Sequence, residues 1–212
     1  LLAEGNPIIL ENTTKTWDRE FFSWNWLKQN FGDHKMINSP RDNDRLKDLT
    51  GWNVGQYVDY LLKPASERNP QRLYGKDIQC PDPWREYVKT HLSEYFVYRG
   101  KWDLSANLPL ELQPVALLIY VGLEENCTPA HVDICGTMGH NIMTFADPGA
   151  HALWFFVNPK DRDTAAKYWK ENGGTVYHDN CFLSLEKLSK APFPVQVVAQ
   201  REGDLVLVPP LS

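Results

Sequence analysis

Apolar residues in the first half of the chain recur at helical spacing, whereas in the second half they fall into short runs broken by turns. Val54 to Leu62 has apolar positions three and four apart, and Trp84, Tyr87, Val88 and Leu92 share one face of a helix predicted over Trp84 to Phe96. The aromatic-rich stretch from Trp17 to Phe31 reads as helix-face and core packing, with Asn12-Thr13-Thr14 offering a cap before it. Pro7-Ile8-Ile9-Leu10 predicts a short strand. Asn38 to Asp48 and Lys63 to Arg72 are rich in charged and turn-forming residues and predict surface connections, and Asp77 to Pro83 predicts a turn-rich segment.

From Val115 onward the pattern favours strands: Val115 to Val121, His131 to Gly136, Asn141 to Phe145, Ala152 to Val157, Val195 to Val198 and Asp204 to Val208. Short strands separated by turns argue for a β-sandwich or barrel. Between them, Arg162 to Asn172 predicts a helix that ends at Gly173-Gly174, where a flexible backbone suits the cap. The fold class is therefore mainly β with α: helices packed around a jelly-roll-like strand array that can enclose a cavity.

The 212 residues fit one domain, with a helical and mixed part over 1–114 and the strand array over 115–212. The chain has no initiating Met and stops just after an apolar strand, so the expectation is a piece of a longer protein. A formal net charge of -5 supplies no global field for a polyanion, which argues against direct DNA binding but suits a basic peptide. No apolar run reaches the roughly 18 residues of a membrane span, and the chain reads as soluble and intracellular. Cys80, Cys127, Cys135 and Cys181 lack the spacing of a zinc site or a disulfide scaffold and are expected to be free, buried thiols.

The candidate chemistry lies in His131-Val132-Asp133, after a Thr128-Pro129 turn. An imidazole and a carboxylate two residues apart on a strand point to one face. Together they supply two legs of the 2-His-1-carboxylate triad that holds Fe(II) with positions open for a co-substrate and O₂.

Leu118-Ile119-Tyr120-Val121 through Thr128-Pro129-Ala130-His131-Val132-Asp133 resembles the JmjC domain. So do Ala152-Leu153-Trp154-Phe155-Phe156-Val157-Asn158-Pro159, Phe193-Pro194-Val195 and Gln200-Arg201-Glu202-Gly203-Asp204-Leu205-Val206-Leu207-Val208-Pro209. The resemblance implies a double-stranded β-helix of cupin-like, jelly-roll type with N-terminal helices, binding Fe(II) and 2-oxoglutarate. In that chemistry iron and O₂ oxidise 2-oxoglutarate to succinate and CO₂ and hydroxylate a substrate C–H; a hydroxylated N-methyl group then loses formaldehyde. By the same resemblance His131 and Asp133 are the first two metal ligands and catalytic residues, and Thr128 and Asn141 are polar contacts to 2-oxoglutarate.

Two departures stand out. Relatives hold the distal carboxylate of 2-oxoglutarate with a Lys at positions that align with Gly122 or Ala152, neither of which carries an amine; His140, His151 and Tyr120 are weaker substitutes. The distal His of the triad is expected two residues beyond Ser212, with His140, His151 and His178 as in-chain alternatives. The resemblance implies a nuclear, chromatin-associated histone lysine demethylase acting on a histone tail or another basic methylated peptide. Tyr98, Trp102 and Trp154 are candidate walls for the methyl-lysine. The alternatives are a catalytically impaired JmjC-like interaction module and a protein hydroxylase of the same fold.

Overall fold

The computed structural model describes residues 1–68, 72–115 and 117–212. Its regular elements begin with strand β1 (Ile8–Leu10), helix α1 (Trp24–Phe31), strands β2 (Arg41–Asp42) and β3 (Lys47–Asp48) and helix α2 (Val54–Leu62). They continue with β4 (Leu73–Gln79), α3 (Asp82–His91), β5 (Leu118–Val121), β6 (Gly139–Ile142) and β7 (His151–Val157). Helices α4 (Arg162–Glu171) and α5 (Leu185–Ser189) and strands β8 (Val195–Arg201) and β9 (Leu205–Val208) complete the set. The fold is mixed α/β with antiparallel sheets, grouped into two compact units: Leu1–Trp17 with Thr128–Ser212, and Asp18–Cys127.

The first unit holds two sheets. In one, β9 lies between β1 and β6, with Ile9 and Asn141 both opposite Val206 and Gly139 opposite Val208. Leu205, Val206 and Leu207 are buried, so the central strand is an unbroken apolar run covered on both faces, as burial on both sides demands. In the other sheet β7 and β8 pair from His151↔Arg201 to Val157↔Val195. Here burial alternates: Phe156 is buried while Leu153 and Phe155 are exposed, which puts Ala152, Trp154 and Phe156 on the inner face.

The chain passes from β8 to β9 through Glu202-Gly203. Gly203 has φ +94°, and the Asp204 carboxylate accepts hydrogen bonds from the backbone N–H of Arg201 (2.9 Å) and of Asn12 (3.1 Å). Helix α4 anchors a separate cluster of Ala165, Trp169, Val176 and Phe193, against which Val132 packs.

In the second unit β2, β3, β4 and β5 form one sheet in the order β3-β2-β4-β5. The Tyr57 hydroxyl from α2 directs its single hydrogen to the Val121 carbonyl (2.7 Å), with the Leu73 carbonyl at 3.2 Å sharing it, and accepts from the Gly75 N–H (2.7 Å), which fastens α2 to β4 and β5. Burial pushes this phenol well above its ordinary pKa. Phe21, Phe22, Trp26, Trp84 and Tyr87 form a ring cluster joining α1 to α3.

Several sequence expectations change. Helix α1 is capped by Ser23, whose Oγ accepts from the Trp26 N–H at 3.2 Å, and not by Asn12-Thr13-Thr14. The segment from Asn38 to Asp48 is not a surface connection: it contributes β2 and β3 and buries Asp42 and Asn43. Asp77 to Pro83 is strand as far as Gln79, where a bulge between Gly75 and Ile78 carries Asp77 at φ +55°. The loop predicted over Lys63 to Arg72 includes residues 69–71, and the strand from Val115 includes 116; both parts lie outside the described residues. Of the four free cysteines, Cys80 is buried, Cys181 is half-buried, and Cys127 and Cys135 are exposed, which corrects the expectation of uniformly buried thiols.

Candidate metal centre and its buried polar support

His131 to Asp133 lies outside any strand ladder, and Asp133 itself (φ -57°, ψ 149°) leads into a 3-10 turn at Ile134–Gly136. The predicted strand fails because Cys135 and Gly136 both take φ +60°, a left-handed conformation that ends any strand. The convergence survives for another reason. Val132 donates its N–H to the Val176 carbonyl (2.8 Å) and packs its side chain on the α4 cluster, so the residues on either side of it turn the opposite way.

His131 Nε2 and Asp133 Oδ1 are 3.6 Å apart, with both side chains about half exposed. The other ring nitrogen, Nδ1, lies 2.9 Å from the Pro129 carbonyl. A carbonyl can only accept, so in the neutral ring Nδ1 carries the hydrogen and Nε2 presents its lone pair on the Asp133 side. The Asp133 carboxylate holds the imidazole above its ordinary pKa of 6.5, with partial burial opposing and the Pro129 carbonyl and Asp179 assisting.

Asp133 sits over β6. A Cβ built on Gly139 would lie 2.7 Å from Asp133 Oδ2, so the carboxylate occupies the space a side chain would need. Asn141 is two residues along the same strand and therefore on the same face. Thr128 is half-buried three residues before His131.

Behind Asn141 lies a residue the sequence reading passed over. Gln200, 1% exposed on β8, accepts at Oε1 from the Trp154 indole N–H (2.8 Å). Its Nε2 reaches Asn141 Oδ1, the Asn141 carbonyl and the Asp204 carbonyl, each at 3.1 Å. The signal available in the sequence was an amide in the predicted closing strands, here paired with inward-facing Ala152.

Trp154 is engaged with Gln200, while Tyr98 donates to the Pro114 carbonyl (3.1 Å) and Trp102 stacks on Tyr95, both within the second unit. Tyr120 donates to Asp77 Oδ1. A Cβ at Gly122 would come to 3.0 Å from the Tyr74 ring and from Asn126 Oδ1, so a side chain there needs its neighbours to shift. His140 and His151 are exposed on β6 and β7 and His178 is exposed in a turn. Among the described residues no group of three His, Cys, Asp or Glu side chains is placed to hold a metal. The donor pair His131 and Asp133, with its oriented imidazole, fits two positions of a divalent iron site.

Residues 118–212 match the family model described as JmjC domain, hydroxylase. The chain is 40% identical over 213 aligned residues to C-module-binding factor A of Dictyostelium discoideum, an alignment that covers all of this chain and 21% of that protein. The chain thus spans about a fifth of the length of the curated relative it matches. The resemblance read from the His-x-Asp segment and the closing strands is accordingly borne out as a match to the JmjC domain over residues 118–212.

Proposed function

We propose that this protein is an Fe(II)- and 2-oxoglutarate-dependent dioxygenase built on a double-stranded β-helix, acting in the nucleus as a histone lysine demethylase on a histone tail or another basic methylated peptide. The JmjC family generally uses iron and 2-oxoglutarate, and the observation that carries the reading is the His131 and Asp133 pair, convergent at 3.6 Å within the matched segment. When bound, the iron with its co-substrate and O₂ supplies the oxidising power to hydroxylate a C–H bond. The chain supplies the placement. His131 Nε2 and the Asp133 carboxylate would hold the metal, Pro129 orients the imidazole, and Gly139 leaves room for the acid. Thr128 and Asn141 would meet 2-oxoglutarate.

A second reading is a JmjC-like interaction module with impaired catalysis. It is favoured by Gly122 and Ala152, where no amine is available for the distal carboxylate, and leading an unpaired carboxylate into a low-dielectric site is costly. C-module-binding factor A is also named for what it binds and not for a reaction.

The deciding experiment incubates the full-length protein with Fe(II), 2-oxoglutarate, O₂ and methylated histone peptides, and measures succinate, formaldehyde and peptide mass. Formaldehyde with loss of a methyl group supports the demethylase. A stable gain of one oxygen assigns a protein hydroxylase instead, and metal binding with no succinate formed assigns the interaction module.

A further inference from the structure

The hydrogen-bond partners of Gln200 fix more than packing. An indole N–H can only donate, so the Gln200 atom that meets Trp154 Nε1 at 2.8 Å is the carbonyl oxygen Oε1. The amide nitrogen of Gln200 must then face the opposite side, where it meets three oxygens at 3.1 Å: Asn141 O, Asn141 Oδ1 and Asp204 O. An amide N–H₂ can only donate, so the Asn141 atom turned toward it is Oδ1. Each amide along the line has its polarity set by the one before, and the series starts from a group with no choice.

The outcome at Asn141 is chemical. With Oδ1 taken up by Gln200, the Nδ2 group is directed away from Gln200, on the face of β6 where Asp133 sits over Gly139 two residues away. Burial strengthens the lock: Gln200 is 1% exposed, and reversing either amide would oppose two donors or two acceptors against its buried side chain.

We infer that Gln200, oriented by Trp154, is a positioning residue that holds the Asn141 amide as a hydrogen-bond donor and so selects an acceptor, a carboxylate oxygen of the 2-oxo acid, at this point of the site. The inference rests on the oxygenase reading, because it assigns Asn141 a co-substrate to meet. Gln200→Glu places oxygens on both sides: one still accepts from Trp154, and the other rejects Asn141 Oδ1 and turns the Asn141 amide over. Asn141→Asp removes the donor while keeping an acceptor for Gln200. Trp154→Phe leaves both amides intact and removes one of the groups that fix their orientation, while the Asn141 and Asp204 carbonyls still call for the Gln200 nitrogen.

The test uses the full-length protein with Mn(II) in place of iron, following metal binding by electron paramagnetic resonance and 2-oxoglutarate binding by calorimetry. Gln200→Glu and Asn141→Asp are each expected to weaken 2-oxoglutarate by about tenfold or more at unchanged Mn(II) affinity, the loss of one charge-assisted hydrogen bond. Trp154→Phe is expected to show a smaller loss of the same kind, and it reports independently should Gln200→Glu not fold. Wild-type affinity for 2-oxoglutarate in Gln200→Glu and Trp154→Phe overturns the assignment while leaving the oxygenase reading intact. Equal losses of Mn(II) and 2-oxoglutarate affinity overturn it too, because Gln200 is then a packing residue. A wild-type protein that takes up Mn(II) but no 2-oxoglutarate defeats the oxygenase reading itself and the role of Gln200 with it.

Discussion

Gly139 has no side chain where the Asp133 carboxylate needs the space. A strand glycine gives up backbone entropy, so replacing it with Ala would ordinarily stabilise β6 slightly. Here the new Cβ would stand 2.7 Å from Asp133 Oδ2, and the carboxylate must swing off His131 to make room. Gly139→Ala is therefore expected to lower metal affinity at least about tenfold with little change in Tm, since the site depends on placement within about 0.5 Å. Metal titration beside a thermal melt measures both, and unchanged affinity would remove Gly139 from the site. The thiols offer a second residue-scale test. Burial pushes the Cys80 thiol up to about 11, so its reactive thiolate is scarce near neutral pH and grows only as pH rises toward that value. Cys135, exposed in the turn after Asp133, is expected to be alkylated first at pH 8, with Cys80 reacting only on unfolding, as peptide mass spectrometry would show.

At the scale of elements, the corner from β8 to β9 sets where Gln200 stands relative to β6. Gly203 takes φ +94°, and a Cβ there would meet nothing nearer than 3.6 Å, so the cost of a side chain is backbone strain alone. Gly203→Ala is expected to destabilise the protein by roughly 1–2 kcal/mol in chemical denaturation, and Gly203→Asn by less, because Asn tolerates the left-handed region. Equal stability of all three would mean the corner relaxes. The sequence announced elements whose periodicity matched their environment: α2 spans the predicted Val54–Leu62, and β7 lies within a residue of its predicted start. It misled where polar residues were structural. Arg41, Asp42 and Asn43 read as loop yet form β2 and a buried bend, where Asn43 bonds Cys127 through its side chain. The strand expected at His131 was undone by Cys135 and Gly136, whose left-handed backbone no hydrophobic pattern reveals. The approach of His131 to Asp133 was readable all the same, because Val132 between them packs on the α4 cluster and the two flanking side chains meet at 3.6 Å. The Gln200 contacts were not readable, since they join residues 46 and 59 positions apart in the chain.

For the whole molecule, the two compact units give metal binding an expected footprint. A ligand that binds only the native state stabilises it by RT ln(1 + [L]/Kd), about 2.7 kcal/mol at a hundredfold excess over Kd. That gain appears in the openings that break the site, while openings that leave it whole do not sense it. His131, Asp133, Asn141 and Gln200 all belong to the unit formed by Leu1–Trp17 and Thr128–Ser212. The Val132 N–H, bonded to the Val176 carbonyl at 2.8 Å, lies between the two candidate ligands and cannot exchange without separating them from the α4 cluster. Hydrogen exchange of the full-length protein with and without Mn(II) is therefore expected to slow about a hundredfold at Val132 and in β6 under those conditions. The Gly75 amide, held by Tyr57 in the other unit, should change little unless its exchange requires global unfolding. The contrast should vanish in His131→Ala. Slowing that is uniform over both units in the sub-global regime would show that they open together, and slowing that persists in His131→Ala would move the metal away from this centre.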